Sequence, residues 1–159
     1  MTCCMAKLMS SAVQRSPAIV DTGMFFAYYY EPAEQHTRAR ETLDSIVDGD
    51  LPFGPLFTTQ AVLSELATLL LRKSTHDEAL RAVTEIRSSE SFNHLVIDRI
   101  TFDTALDQFE QYDDQTISFV DHTTAVLAAE RDIDHVLGFD RDFQTLGFTR
   151  VPVDTGLNA

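Results

Sequence analysis

Four acidic residues stand where apolar runs of this chain end or turn: Asp21 after Ala18-Ile19-Val20, Glu65 within Leu63-Ser64-Glu65-Leu66, Asp121 after Phe119-Val120, and Asp140 after Val136-Leu137-Gly138-Phe139. Carboxylates are hard oxygen donors, and several in one pocket repel one another and raise one another's pKa until a cation intervenes. The chemistry open to such a set is binding of a divalent cation. Mg²⁺ fits because it takes oxygen ligands and keeps waters for reaction. Soft ligands for zinc are missing: Cys3 and Cys4 are adjacent, with no second pair and no histidine at ligand spacing.

Each acid also has a plainer reading. An aspartate before or in the first turn of a helix accepts from free backbone N–H groups and complements the helix dipole, which suits Asp21, Asp121 and Asp140 taken singly. Glu65 lies at the edge of the apolar face formed by Val62, Leu66 and Leu69, where a solvated glutamate is ordinary. Asp121 shares its helical face with Ala125, Ala128 and Ala129, small residues that let a neighbour come close, so its carboxylate is directed at packed structure. Four separate caps do not account for a joint arrangement around one edge of a sheet.

That edge follows from the elements that must position the acids. Ala18-Ile19-Val20 is short and apolar throughout, as a strand buried on both faces should be. Helices are expected over Met24–Tyr30 and Ala33–Val47, a second strand at Phe57-Thr58-Thr59, then helices over Ala61–Lys73 and Thr75–Ser88, the latter opened by a Thr75-His76-Asp77-Glu78 cap. A third strand is expected at Leu95-Val96-Ile97, helices over Thr101–Tyr112 and Val120–Arg131, a fourth strand at His135–Phe139 and a fifth at Thr149–Val153. Strands alternating with helices give an α/β fold, a three-layer α/β/α sandwich around a parallel sheet, and such sheets bind ligands at the carboxyl ends of their strands. Asp21 and Asp140 lie at those ends, and Glu65 and Asp121 belong to helices near them.

Length and charge narrow the function. At 159 residues the chain is most simply one domain. With 25 Asp and Glu against 12 Lys and Arg it carries −13, which disfavours nonspecific attraction to nucleic acid or anionic lipid. A polyanionic partner would need bound Mg²⁺ and a few placed arginines. The acidic balance, with only Lys7 and Lys73 as lysines, also resembles that of proteins from salt-loving archaea. No stretch approaches the roughly 18 apolar residues of a membrane span, and a cytoplasmic protein is expected. Residues 1–16 read as a disordered tail or an over-extended start, and residues 17–159 as the domain.

The same residues carry a resemblance. Ile19-Val20-Asp21-Thr22 before a hydrophobic helix, Glu65 in a Ser-Glu-Leu-Ala helix, Ser118-Phe119-Val120-Asp121 opening an Ala-rich helix, and Val136-Leu137-Gly138-Phe139-Asp140-Arg141-Asp142-Phe143 followed by Gly147-Phe148 resemble the PIN domain family, most closely the VapC-type toxin ribonucleases. The resemblance runs in order over about residues 17–153. It implies a metal-dependent endoribonuclease in which Asp21 and Asp121 hold Mg²⁺ or Mn²⁺ most directly, with Glu65 and Asp140 completing the site directly or through water. It further implies activation of water for in-line attack on a phosphate, with a second metal about 3.5–4 Å away if two bind, and products with 3′-hydroxyl and 5′-phosphate ends. RNA as substrate, a cognate antitoxin and a homodimer are the implied partners. Gly138 departs from the family's frequent Ser or Thr, and Asp142 competes with Asp140 as ligand, Asp140 being preferred as nearer the strand end.

Around these acids, Thr22 and Ser118 suit supporting hydroxyls or plain turn residues, and Arg141 suits a phosphate contact. His122 is expected on the surface rather than as a base, since adjacent helix positions diverge by about 100°. Phe25, Phe26 and Tyr29 are expected in the core. Other functions fit less well: an aspartyl phosphatase commonly needs an acid where Gly23 stands, and a phosphoacceptor receiver needs a late lysine where none follows Lys73. A non-catalytic metal- or RNA-binding module of the same fold is the remaining alternative, and the intact set of four acids weighs against it.

Overall fold

Ala18, Ile19 and Val20 are fully buried, which is why the short run Ser16–Val20 forms the central strand β1 of the sheet. A computed structural model describes residues 13–157 of the chain. Cys3, Cys4 and most of the expected tail lie outside the described residues, and β1 begins at Ser16.

Four further strands, β2 (Phe53–Thr59), β3 (Phe92–Leu95), β4 (His135–Gly138) and β5 (Thr149–Pro152), join β1 in the order β3-β2-β1-β4-β5, every pairing parallel. Side chains alternate across the strands. Ala18, Val20, Leu56, Leu137 and Val151 face a core shared with α1 (Thr22–Tyr29), α2 (His36–Val47), α3 (Gln60–Lys73) and α4 (His76–Ser88). Ile19, Phe57 and Val136 face a second core with Leu127 and Ala128 of α6 (Phe119–Glu130) and Phe143 of α7 (Arg141–Thr145). The helix α5 (Arg99–Gln111) packs on α6. The result is the expected α/β/α sandwich.

Connections run from β1 outward to β2 and β3, and the chain then returns to place β4 on the other side of β1. The strand order therefore reverses between β1 and β4, and the crevice outside their carboxyl ends is where ligands of open parallel sheets bind. Asp21 follows β1 directly and Asp140 follows β4.

Several elements differ from the sequence reading, which has no counterpart of the short helix α7. The third strand is Phe92–Leu95 rather than 95–97, because register with β2 pairs Leu56 with Phe92 and Thr59 with Leu95. Val96 is left 72% exposed, and Ile97 N–H donates to the Gln60 side chain instead of to a strand. The helix expected from Ala33 begins at His36, since Ala33 N–H closes a turn onto Tyr30 O and His36 N–H one onto Ala33 O. Strand β2 extends back to Phe53 despite Pro55. The Thr75 cap holds as read, its Oγ1 accepting from Glu78 N at 3.2 Å, and Thr59 caps α3 in the same way, its Oγ1 accepting from Val62 N at 3.1 Å.

Candidate metal centre

Asp21 takes its place from both of its neighbours in the fold. Its N–H donates to Leu137 O of β4 at 3.0 Å, and its Oδ2 accepts from Gly23 N at 3.2 Å, capping α1. The carboxylate is 4% exposed, and Oδ1 is buried with no partner among protein groups. A cap uses one oxygen; a second one buried and unpaired costs free energy of about 1–3 kcal/mol, more when charged. Burial therefore pushes the Asp21 carboxyl up to about 8, Asp121 adds to the rise, the N–H groups of Gly23 and Thr22 oppose it, and Glu65 adds a smaller push. Two glycines permit this tight seat. A Cβ on Gly138 would come within 3.3 Å of Asp21 Cβ, and one on Gly23 within 3.2 Å of Asp21 Oδ2.

Asp121 is in the first turn of α6, whose cap Ser118 accepts from Asp121 N at 3.1 Å. Burial pushes this carboxyl up to about 7; the Ser118 hydroxyl pulls it down, and Asp140, Glu65 and Asp142 push it further up. Asp140 caps the short α7 by accepting from Asp142 N at 2.9 Å. That geometry folds Asp142 back beside it. Burial and Asp140 both raise the Asp142 carboxyl. Oxygens of Asp121, Asp140 and Asp142 all lie within 4.8 Å of one another, so Asp142 and Asp140 belong to the same acidic cluster.

These residues open onto one cavity of about 560 Å³. Asp21, Glu65, Asp121 and Asp140 all line it, together with Asp142 and Glu34, with the hydroxyl residues Thr22 and Ser118 between them. Among the described residues no lysine, arginine or histidine lines it. A wall of six carboxylates without a counter-charge, one of whose members has a buried orphan oxygen, is a donor set made for a hard cation.

Comparison with known proteins agrees with this fold. Residues 18–149 match the PIN domain. The chain belongs to the PIN domain family. Among solved structures it is similar to VapC20 of Mycobacterium tuberculosis, a sarcin–ricin loop cleaving toxin, with a TM-score of 0.75 at 26% identity over 83% of this chain and 96% of that one. It is also similar to VapBC2 of Rickettsia felis bound to a DNA fragment from its promoter, with a TM-score of 0.60 at 10% identity over 84% of this chain and 96% of that one, a likeness of fold. No curated protein sequence matches.

Within this PIN domain one neighbour of the site departs from the sequence reading. His122 is not on the surface: it is 1% exposed, its Nδ1 is 2.7 Å from Gln108 Oε1, and its ring lies against Phe109 and Tyr112. Residues 121–128 of α6 are buried all round, so turning 100° away from Asp121 leads to α5 rather than to water. Of the aromatic stretch, Phe25 is fully buried while Phe26 and Tyr29 are half-buried, and Phe26 lines the cavity. Arg141 is exposed and does not line it.

Glu34 and Arg150 escaped the sequence reading. Glu34 reaches the PIN cavity only because α2 starts late, which leaves residues 33–35 as a turn along its rim. Arg150 of β5 is 7% exposed; Nε and Nη2 donate to the two Asp154 oxygens at 3.0 and 2.7 Å, and Nη1 to Phe139 O at 3.1 Å. It thereby fixes the residue before Asp140. The available signal was an arginine inside an apolar strand with an acid four positions on. Arg150→Met removes the guanidinium donors to Asp154 and to the Phe139 carbonyl, leaving Asp154 only the backbone N–H of residue 150, and is expected to lower stability by roughly 2 kcal/mol, below the usual cost of breaking a fully buried pair because Asp154 keeps that N–H and some water contact. Urea unfolding checks this, and an unchanged midpoint would remove the structural role.

Proposed function

We propose that this PIN domain is an Mg²⁺-dependent endoribonuclease, the toxin of a toxin–antitoxin pair, with Mn²⁺ able to replace Mg²⁺. The observation that carries the reading is the cavity itself: six carboxylates with no lysine, arginine or histidine beside them among the described residues, including a buried aspartate whose second oxygen accepts from no described group. Asp21 and Asp121 would hold the cation most directly, with Glu65, Asp140 and Asp142 completing its surroundings. When bound, the cation supplies polarisation of a phosphate and a lowered pKa for water. The protein residues do the rest. Ser118 orients the first turn of α6 and so the Asp121 carboxylate, Gly23 N–H fixes one Asp21 oxygen and leaves the other without a hydrogen-bond partner among the described groups, and the Arg150 hold on Phe139 O sets the approach of Asp140.

The likeness to a toxin that cleaves the sarcin–ricin loop supports RNA as the substrate class. With a net charge of −13, this chain offers RNA little general attraction, so the cation is also expected to carry much of the phosphate binding. Purified protein should cleave RNA in Mg²⁺ or Mn²⁺, fall silent in excess EDTA and recover when Mg²⁺ is restored. Undiminished cleavage in EDTA would overturn the metal-dependent reading.

A toxin needs restraint in its own cell, and the Rickettsia felis neighbour is a toxin–antitoxin complex on DNA. The acidic cavity beside apolar residues of α1 and α3 suits an antitoxin segment in which an arginine lies next to hydrophobic anchors, pairing with the carboxylates in place of the cation. Mg²⁺ affinity should then weaken when the antitoxin is bound; identical affinity by calorimetry with and without it would remove occlusion of the cavity and leave the nuclease assignment standing. Among the described residues no helix is long and apolar enough to cross a membrane; it is the proposed RNA substrate and antitoxin partner that put the activity in the cytoplasm.

A further inference from the structure

Helix α5 carries a pattern that neither the core nor the metal centre uses. Phe102, Leu106 and Phe109 form an apolar row at i, i+4 and i+7 and remain 48%, 49% and 45% exposed. Asp103, Asp107 and Glu110 follow each of them by one position, all exposed, making a parallel acidic row. At the end of the helix the two rows open into a groove of about 570 Å³ with Leu106, Phe109 and Tyr112 as its apolar lining and Glu110 and Asp113 as its acids.

This helix is unfavourable in isolation. Like charges one turn apart repel, and acids toward a helix C-terminus oppose the dipole. Its last turn holds no basic residue, and Arg99, 3.9 Å from Asp103, is its only cation. The anchors are nevertheless fixed. Phe102 and Phe109 both pack on Phe119, at 4.9 and 5.7 Å between centroids, and Phe109 and Tyr112 both lie 5.6 Å from the His122 ring. Rigid, exposed aromatic anchors beside unmatched charge are what a docking face requires.

We propose that this face of α5 docks an amphipathic helix of a second protein, one with an apolar row flanked by a row of lysine or arginine. Charge selects this occupant. RNA would bring phosphates against the acidic row, and a second copy of the chain would bring the same acids and another −13. A basic amphipathic helix instead buries the apolar row and neutralises the acidic one together. The face is separate from the acidic cavity, and the proposal does not depend on the nuclease reading.

The test uses the whole chain and a fluorescent synthetic helix of about five turns with leucines in one row and arginines in the next. A control peptide has glutamate in place of every arginine. The arginine peptide should bind at low salt and the glutamate peptide should not. Leu106→Ser, and separately the charge reversal Asp107→Lys with Glu110→Lys, should each weaken binding at least about tenfold while leaving thermal unfolding and RNA cleavage unchanged. Absence of binding, or binding indifferent to the charge reversal, would overturn the proposal. So would light scattering that shows a dimer lost in Leu106→Ser, or RNA crosslinks at Phe102 or Phe109, since the face would then belong to a second copy or to substrate.

Discussion

Asp121→Asn is expected to abolish RNA cleavage, by more than about a hundredfold, and at the same time to raise the melting temperature of the metal-free protein. The two effects share one cause. Asp121 lies within 4.8 Å of the oxygens of Asp140 and Asp142, and its carboxyl is pushed up to about 7. Near neutral pH it is thus ionised only at a cost. Asparagine keeps the shape and removes that charge. Asp21→Asn should act in the same direction: its amide oxygen can still accept from Gly23 N, so the cap on α1 survives, while the charge that burial opposes is gone. Each pH unit of pKa displacement corresponds to about 1.4 kcal/mol, so the gain for Asp21→Asn at alkaline pH should be on the order of a few kcal/mol. Thermal unfolding in EDTA measured beside turnover in Mg²⁺ separates the outcomes. Wild-type turnover by either variant removes that residue from the site. Loss of turnover with loss of fold would mean that the residue is structural only.

The sequence made the strands around Asp21 and Asp140 legible because residues buried on both faces must be apolar throughout, and such short runs are conspicuous in an acidic chain. It was less informative at the sheet's edge. Strand β3 reads Phe92-Asn93-His94-Leu95, half-polar because one side lacks a neighbouring strand, and the more apolar Leu95-Val96-Ile97 beside it drew the assignment although Val96 is mostly exposed. The four acids could be placed near one edge from strand ends and helix starts. Whether Asp140 or Asp142 belonged could not, because that depends on the turn in which Asp140 caps α7 and brings Asp142 back beside it. Glu34 and His122 depended on tertiary packing alone: one on where α2 begins, the other on α5 lying against α6.

Stability and metal affinity should respond oppositely to pH. The Asp21 carboxyl rises from the ordinary aspartate range to about 8 and that of Asp121 to about 7, so between an unfolded pKa near 4 and these values the folded protein holds protons that the unfolded chain has released. Stability therefore falls as pH rises through that window, by up to about 1.4 kcal/mol per unit for each proton held, and levels off above about 8. His122, held low by burial, runs the other way, losing stability as pH falls below the ordinary histidine range. Comparing wild type with Asp21→Asn isolates the aspartate contribution. In Mg²⁺ the acids must release their protons before they can serve as ligands, so the dissociation constant should improve about tenfold per pH unit for each proton displaced, through the same window. The metal then stabilises the fold most where the metal-free protein is weakest. Calorimetry in buffers of different ionisation heat would count the protons released, expected at one to two near neutral pH. An Mg²⁺ affinity that is flat from about pH 6 to 9, with no proton release, would mean that Asp21 and Asp121 are already ionised without metal, and would detach the burial of these two acids from the metal chemistry.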